Sequence, residues 1–374
     1  MFRVLHLMGC ADAGGISMVV LNYYRFIDRS KVHFDIALTV DTVGQNAQAL
    51  MDLGAQVFFV PMKSMGLGAF RRALTKILKE GKYDAIHVHE SETCYVALSV
   101  AKKLGVPCRV AHAHTSSPCG DLKSELRRQS GCLLNYHYAT QVIGCGKLAG
   151  DRVFGKRNMQ RPKAMVLPNA IDTERFSFNQ RVRKEVREEL GLEGKYVIGM
   201  VGRLSEQKNI PYALELMTEV RKQIPNAVLV VAGNGPDESK INDQIRELHL
   251  EDVVAMLGRR ADVARRYQAF DIFIMPSFFE GYPLAAVEAL ASGLPVLLAD
   301  TITRELEFAS ALRYIPLSEQ SRWVAEIVNW LEDEDRAERQ KEVTANGLDI
   351  HDTVKLLERT YIGASNNNTV GVKL

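Results

Sequence analysis

Short apolar, β-branched runs alternate with amphipathic stretches along the whole of the 374-residue chain. In the first half the strand-like runs are 2–8, 33–40, 56–61, 85–89, 108–114, 140–145 and 165–167, with helix-like segments such as 69–80 and 93–104 between them. In the second half strands are predicted at 196–201, 227–232, 253–257, 272–276, 295–299 and 313–316, with helices at 211–223, 238–248, 283–292 and 319–332. Several strand runs are continuously apolar rather than alternating, as strands buried on both faces of a parallel sheet must be. Repeated strand–helix alternation specifies an α/β architecture. Two such series, each of about six strands, predict two doubly wound, Rossmann-like domains facing each other across a cleft. The alternation restarts after a loop-like stretch at 168–178, giving expected domains 1–170 and 171–350. The last helical stretch, 351–362, follows the completed second sheet and is expected to pack back on the first domain. Residues 363–374, with three consecutive asparagines and no apolar face, read as a loose tail.

Composition changes this picture only when it is divided. With 47% apolar and 25% charged residues the chain can bury a sizeable core, and a net charge of +2 argues against nucleic acid as a partner. Residues 1–178, however, hold 23 basic and 14 acidic side chains against 24 and 31 in the remainder. Such an asymmetry suggests a different partner for each half. All six cysteines (10, 94, 108, 119, 132 and 145) lie in the first half without a C-x-x-C pair, which fits buried free thiols in a reducing compartment. The first residues carry His6 within a short apolar run and no cleavage-site pattern, so no leader is expected. The longest apolar candidate, 281–299, is broken by Glu288, so no membrane span is expected. The expectation is a cytoplasmic protein, at most peripheral on the inner face of the membrane.

Three segments carry candidate chemistry. The first strand runs into a glycine turn, residues 9–17 with Gly14 and Gly15, before a helix that opens near Ser17. Glycines there let backbone N–H groups approach a phosphate at the positive end of a helix, although a ligand-free tight turn reads equally well. Neither the dinucleotide fingerprint nor the triphosphate-binding loop is present. In the second half, strand 196–201 leads into Gly202, Arg203 and Lys208 just before a helix. Open α/β sheets bind ligands at the carboxyl ends of their strands, and a guanidinium fork with an ammonium suits a diphosphate; the plainer alternative is a solvated pair near Glu206. The third segment, 276–295, ends a strand at Glu280, turns through Gly281, Tyr282 and Pro283, and enters an apolar helix interrupted by Glu288. Free N–H groups around Gly281 and Leu284–Ala286 and two carboxylates eight residues apart could grip the hydroxyls of two sugar rings. Glu280 could instead be a charge stabilised by the helix N-terminus.

The 280–288 segment resembles the E-x7-E element of retaining glycosyltransferases of family four, which have the GT-B fold. The resemblance spans almost the whole chain: Gly14-Gly15 is similar to the N-terminal glycine loop, 109–114 to the histidine strand, 166–176 to the linker signature, 202–209 to the phosphate loop and 233–236 to the following turn. Two residues depart from the pattern, Ala170 for the linker glycine and Cys145 for a common serine. The 111–116 stretch is closest to bacterial exopolysaccharide and capsule enzymes. The resemblance implies that Arg203 and Lys208 hold the donor diphosphate without a metal or other cofactor. Gly14 and Gly15 add donors from the other domain, and Glu288 takes the ribose hydroxyls. Glu280, Gly281, Tyr282, Leu284 and Ala285 surround the donor sugar. His114 lies beside the reacting sugar, and the backbone at Arg259 and Arg260 meets the base. A metal at the histidine pairs 87/89 or 112/114, whose members share a strand face, is not expected, because no third ligand of fixed spacing appears.

The implied reaction moves a hexose, from a UDP-sugar in the first instance, to a hydroxyl of a glycan or lipid-linked acceptor with retention. In hydrolases retention through a covalent intermediate needs two carboxylates about 5–5.5 Å apart, and here no nucleophile is evident beyond Glu280. The hypothesis is therefore a same-face displacement in which the leaving phosphate deprotonates the acceptor, and a glycosyl adduct trapped on Glu280 would overturn it. Basic side chains along the first half, and the mixed apolar and basic segment 65–72, point to an anionic membrane surface carrying the acceptor. Two other readings are a catalytically silent nucleotide-sugar-binding subunit and a GT-B nucleotide-sugar epimerase. Donor-dependent release of nucleoside diphosphate separates enzyme from binder.

Overall fold

The computed structural model describes all residues except 12–14, 41, 90–92, 115–121, 332–335 and 366–374. It divides into two compact units, residues 1–170 with 350–374, and 171–349.

The first unit is built on seven parallel strands: β1 (Phe2–Met8), β2 (Val32–Leu38), β3 (Val57–Phe59), β4 (Ala85–Val88), β5 (Cys108–Ala113), β6 (Gln141–Gly144) and β7 (Ala164–Val166), in the order β3-β2-β1-β4-β5-β6-β7. The second has six: β8 (Tyr196–Val201), β9 (Ala227–Ala232), β10 (Val254–Met256), β11 (Ile272–Met275), β12 (Val296–Ala299) and β13 (Leu312–Ile315), in the order β10-β9-β8-β11-β12-β13. In each sheet the chain reverses direction of growth beside its first strand. The crevice at the carboxyl ends of β1/β4 or β8/β11 is therefore where a doubly wound fold takes a ligand. The central strands are buried on both faces, which explains their continuous apolar runs: β9 has no residue above 8% exposure.

All seven strand-like runs of the first half form strands of the first sheet. Several helices carry little sequence signal. Gln180–Leu190 carries only three apolar residues, Val182, Val186 and Leu190, at helical spacing, fully buries only Val186, and is held by Arg183 and Arg187, which both pair with Asp271. Leu122–Tyr138 and Arg336–Ala345 are further helices that periodicity does not announce. The helix Ile350–Ser365 belongs to the first unit and buries Tyr361 completely.

Candidate active site

The second unit's site is assembled at the β8/β11 reversal. After β8 the chain passes Gly202 and Arg203, forms a single 3-10 turn at Glu206–Lys208, and enters the helix Ile210–Gln223 through Asn209. Asn209 has φ 50°, a left-handed conformation that asparagine tolerates better than most residues. Two glycine loops fit backbone against backbone here. A Cβ on Gly233 would lie 1.7 Å from the Gly202 carbonyl oxygen, and one on Gly235 2.1 Å from that of Leu204. The amide of Leu204 also donates to Asn234 O at 3.0 Å. Any larger residue at 233 or 235 would push the Arg203 loop out of place.

Lys208 folds back across this loop. A Cβ on Gly202 would meet Lys208 Cε at 3.0 Å, and Lys208 Nζ donates to Glu280 Oε1 at 2.6 Å. Glu280 follows β11 and is 9% exposed. The two loops are further tied by Phe278 N to Gln207 O at 2.9 Å and Gln207 Nε2 to Phe279 O at 2.8 Å. Arg203 is exposed and pairs with no described residue. Gly202, Arg203, Lys208 and Ser277 line one shallow depression, with Met200, Ile274 and Met275 as its apolar floor. The Ser277 hydroxyl is buried there with no partner among the described residues.

Glu288 lies in the helix Leu284–Ala291 and is only partly exposed. The Tyr267 hydroxyl donates to its Oε2 at 2.9 Å. Burial pushes its carboxyl up to about 7, against the opposing pull of the Tyr267 hydrogen bond and of the charges on Arg175 and Lys208. Tyr267, itself fully buried, is a part of the site that sequence reasoning missed. It is one aromatic in a seven-residue helix, Val263–Ala269, and only the fold brings it to Glu288.

Two expectations need correction. Pro283 occupies the cap, one residue before the helix, rather than its first turn. Of the N–H groups expected to be free, Leu284 N donates to Tyr282 O at 3.0 Å and Ala286 N to Pro283 O at 2.9 Å, because the tight entry closes locally. The amides of Gly281 and Ala285 have no such partner among the described residues. The Arg260 side chain is held by both carboxylate oxygens of Asp262, at 2.8 and 3.1 Å, and the expectation places its backbone, not its side chain, at a base. Tyr282 is 8% exposed and packs into the turn.

In the first unit Gly15 begins the helix Gly15–Phe26 and is exposed, whereas Gly14 lies outside the described residues. His114 stands just past the end of β5 and is partly exposed. Its Nε2 meets His89 Nδ1 at 2.9 Å, and its Nδ1 is buried without a partner among the described residues. His6, His87, His89 and His112 surround it on β1, on β5 and along or just past β4, all buried. The third ligand that no spacing in the sequence supplies comes from neighbouring strands: His6/His87/His89 and His89/His112/His114 each bring three ligand atoms within 4.8 Å.

Comparison with known proteins fits this architecture. The family "Glycosyltransferase Family 4" matches residues 13–175, and "Glycosyl transferases group 1" matches residues 182–347. The chain is 34% identical to the Bacillus subtilis protein named as glycosyltransferase EpsF, over 96% of both chains. It is 29% identical to the Escherichia coli UDP-Gal:alpha-D-GlcNAc-diphosphoundecaprenol alpha-1,3-galactosyltransferase, over 80% of this chain and 79% of that one. Among solved structures it resembles Anabaena HepE in complex with UDP (TM-score 0.80, 20% identity, covering 96% of this chain and 99% of that one). It also resembles WaaG, a glycosyltransferase involved in lipopolysaccharide biosynthesis (TM-score 0.72, 15% identity, covering 96% and all of that chain). The chain belongs to the family-four glycosyltransferases with the GT-B fold. It is an enzyme of the hexosyltransferase class, acting on sugar donors in polysaccharide or glycolipid synthesis.

Proposed function

We propose that the enzyme transfers a hexose, with retention, from a UDP-sugar to a hydroxyl of a lipid-linked saccharide during exopolysaccharide or capsule synthesis. The observation that carries this reading is the Lys208–Glu280 pair laid across the Gly202 loop with the unpaired Arg203 beside it. Two cations at the carboxyl end of β8 meet the diphosphate without a metal ion, and Glu280 stands where the attached sugar would follow. The E. coli relative's name specifies a UDP-sugar and a diphosphoundecaprenol acceptor, and the Anabaena neighbour binds UDP, which supports that donor and acceptor class.

The chemistry follows from charge. As the glycosidic bond lengthens, negative charge grows on the departing phosphate, and fixed cations there lower the barrier most. The leaving oxygen takes the acceptor's proton on the same face, so the new bond keeps the old configuration. Glu288, with Tyr267 as its inner partner, accepts the ribose hydroxyls; Gly15 and the amides of Gly281 and Ala285 donate to phosphate and sugar. His114 contacts a hydroxyl of the sugar.

The acceptor side is the first unit's basic surface, held against an anionic leaflet on the cytoplasmic face. Phe59, Met62, Met65 and Leu67 are 40–75% exposed, and Arg71, Arg72, Lys76 and Lys79 are exposed on the helix Leu67–Gly81 that follows. Apolar residues beside cations favour an anionic lipid surface.

A panel of UDP- and other nucleotide-hexoses, read by thermal shift and then by NMR of the product's anomeric signal, tests the proposal. A UDP-sugar that stabilises the protein and yields a product of unchanged anomeric configuration is the expected result. An inverted product or preference for another nucleotide would sink it.

A further inference from the structure

Five of the first unit's histidines, on and just past β1, β4 and β5, are joined in one line. His114 Nε2 meets His89 Nδ1 at 2.9 Å, and His89 Nε2 meets His6 Nδ1 at 2.8 Å. His6 Nε2 lies 3.5 Å from the Tyr361 hydroxyl, which is 2.6 Å from His87 Nδ1; His87 Nε2 then meets His112 Nδ1 at 3.1 Å. The two terminal nitrogens, His114 Nδ1 and His112 Nε2, are buried with no partner among the described residues.

We infer that Tyr361 is a positioning residue: its single hydroxyl proton gives this chain one direction and so sets which nitrogen of His114 carries hydrogen. Its consequence for substrate rests on the proposed contact of His114 with the donor sugar.

Burial holds every ring neutral, His6 and His114 at about 3 and the other three well below the ordinary imidazole value. A neutral imidazole has one N–H and one lone pair, so a ring that donates on one side must accept on the other. Turning a single ring would set two N–H groups or two lone pairs face to face. The chain therefore has only two consistent states, all Nε2–H or all Nδ1–H. The Tyr361–His87 distance chooses between them. At 2.6 Å it is shorter than the roughly 2.7–3.2 Å of N–H···O bonds and suits a hydroxyl donor. Tyr361 then donates to His87, His87 donates to His112, and the phenol oxygen accepts from His6. His6 Nδ1 in turn accepts from His89, and His89 Nδ1 accepts from His114. His114 is left with a lone pair on Nδ1, which takes a hydroxyl donor such as a sugar O–H and rejects a carbonyl.

A divalent cation is the competing use of these rings, since two triads are close enough. It would need three lone pairs at one point, whereas the bonded chain leaves only that of His114 unengaged.

The test is imidazole ¹⁵N NMR of the full chain, labelled at histidine, at pH 7.5. Wild type should show all five rings of the chain as neutral Nε2–H tautomers. Tyr361→Phe, which removes one hydroxyl, splits the chain into the arms His114–His89–His6 and His87–His112. The His114 signals should then move to a mixture of tautomers while circular dichroism is unchanged. A wild-type ring in the Nδ1–H or cationic form, a His114 tautomer indifferent to Tyr361→Phe, or stoichiometric Zn²⁺ uptake onto these rings would each overturn the inference. The wild-type spectrum decides the direction even if the variant folds poorly. Turnover should fall in step with the lost Nε2–H fraction. Mixed tautomers with unaltered turnover would remove the sugar contact of His114 and leave the chain standing.

Discussion

Lys208 Nζ donates to Glu280 Oε1 at 2.6 Å across 72 residues of sequence, which fuses the loop after β8 with the loop after β11. The pair is mostly buried, so Glu280 anchors the ammonium and, in the proposed site, competes with a phosphate for it. Glu280→Gln keeps an oxygen acceptor and removes the competing charge. UDP should bind as tightly as before or tighter, while turnover falls by about 10²-fold through loss of the sugar contact. Calorimetry and steady-state rates check both halves; parallel losses of affinity and turnover would contradict the assigned division of labour.

The Glu288 carboxyl, raised to about 7, gives nucleotide binding a pH signature. In the proposed ribose contact the carboxylate is the accepting form, so UDP affinity should strengthen as pH rises through 7. Glu288→Gln should flatten that part of the profile and weaken binding at pH 8. The stability effect has the opposite sign. A carboxyl whose folded value lies above its unfolded value binds protons more tightly when folded, so stability falls as pH rises from about 4.5 to 7. Glu288→Gln should therefore raise the unfolding free energy at pH 8, by up to about 2–3 kcal/mol, and change it little at pH 4.5.

The histidine cluster predicts acid sensitivity of the first unit alone. Rings with folded values below their unfolded value of 6.5 contribute stability that is complete above that pH and lost as pH falls towards 3. Both tryptophans, Trp323 and Trp330, belong to the second unit. Amide exchange in β1, β4 and β5 should therefore accelerate between pH 7 and 5.5, relative to its intrinsic rate, before tryptophan fluorescence changes. Simultaneous loss would contradict a neutral cluster.

The surface formed by Met62, Met65, Leu67, Arg71 and Arg72 should bring the enzyme to vesicles containing anionic lipid. Met65→Ser with Leu67→Ser, or Arg71→Glu with Arg72→Glu, should reduce partitioning onto vesicles by about tenfold or more without changing hydrolysis of the soluble donor. Each apolar side chain removed is worth about 1–2 kcal/mol of insertion. Flotation indifferent to lipid charge, salt and these substitutions would remove the membrane from the account.

The α/β fold was legible because strands buried on both faces must be apolar throughout: β1, β8 and β9 keep their predicted limits. Elements stabilised by charge left a fainter trace, as in Gln180–Leu190, where Val182, Val186 and Leu190 stand among seven charged residues and Arg183 and Arg187 pair with Asp271. At the site, Gly202, Arg203, Lys208, Glu280 and Glu288 were visible because charge and glycine stand out at strand ends. The Lys208–Glu280 contact, the Tyr267 partner of Glu288 and the line from His114 to Tyr361 were not, since each joins residues that only the parallel crossovers bring together. The amide of Leu284 shows the converse limit. A helix start implies free N–H groups, but the tight entry at Tyr282–Pro283 closes those of Leu284 and Ala286.

The most direct test is the rate of UDP release from its preferred UDP-hexose, with a lipid-linked saccharide acceptor, by wild type, Arg203→Ala and Lys208→Ala. The account predicts acceptor-dependent release by wild type and a loss of about 10²–10³-fold in each variant, with unfolding transitions preserved. Near-normal release by either variant would contradict it.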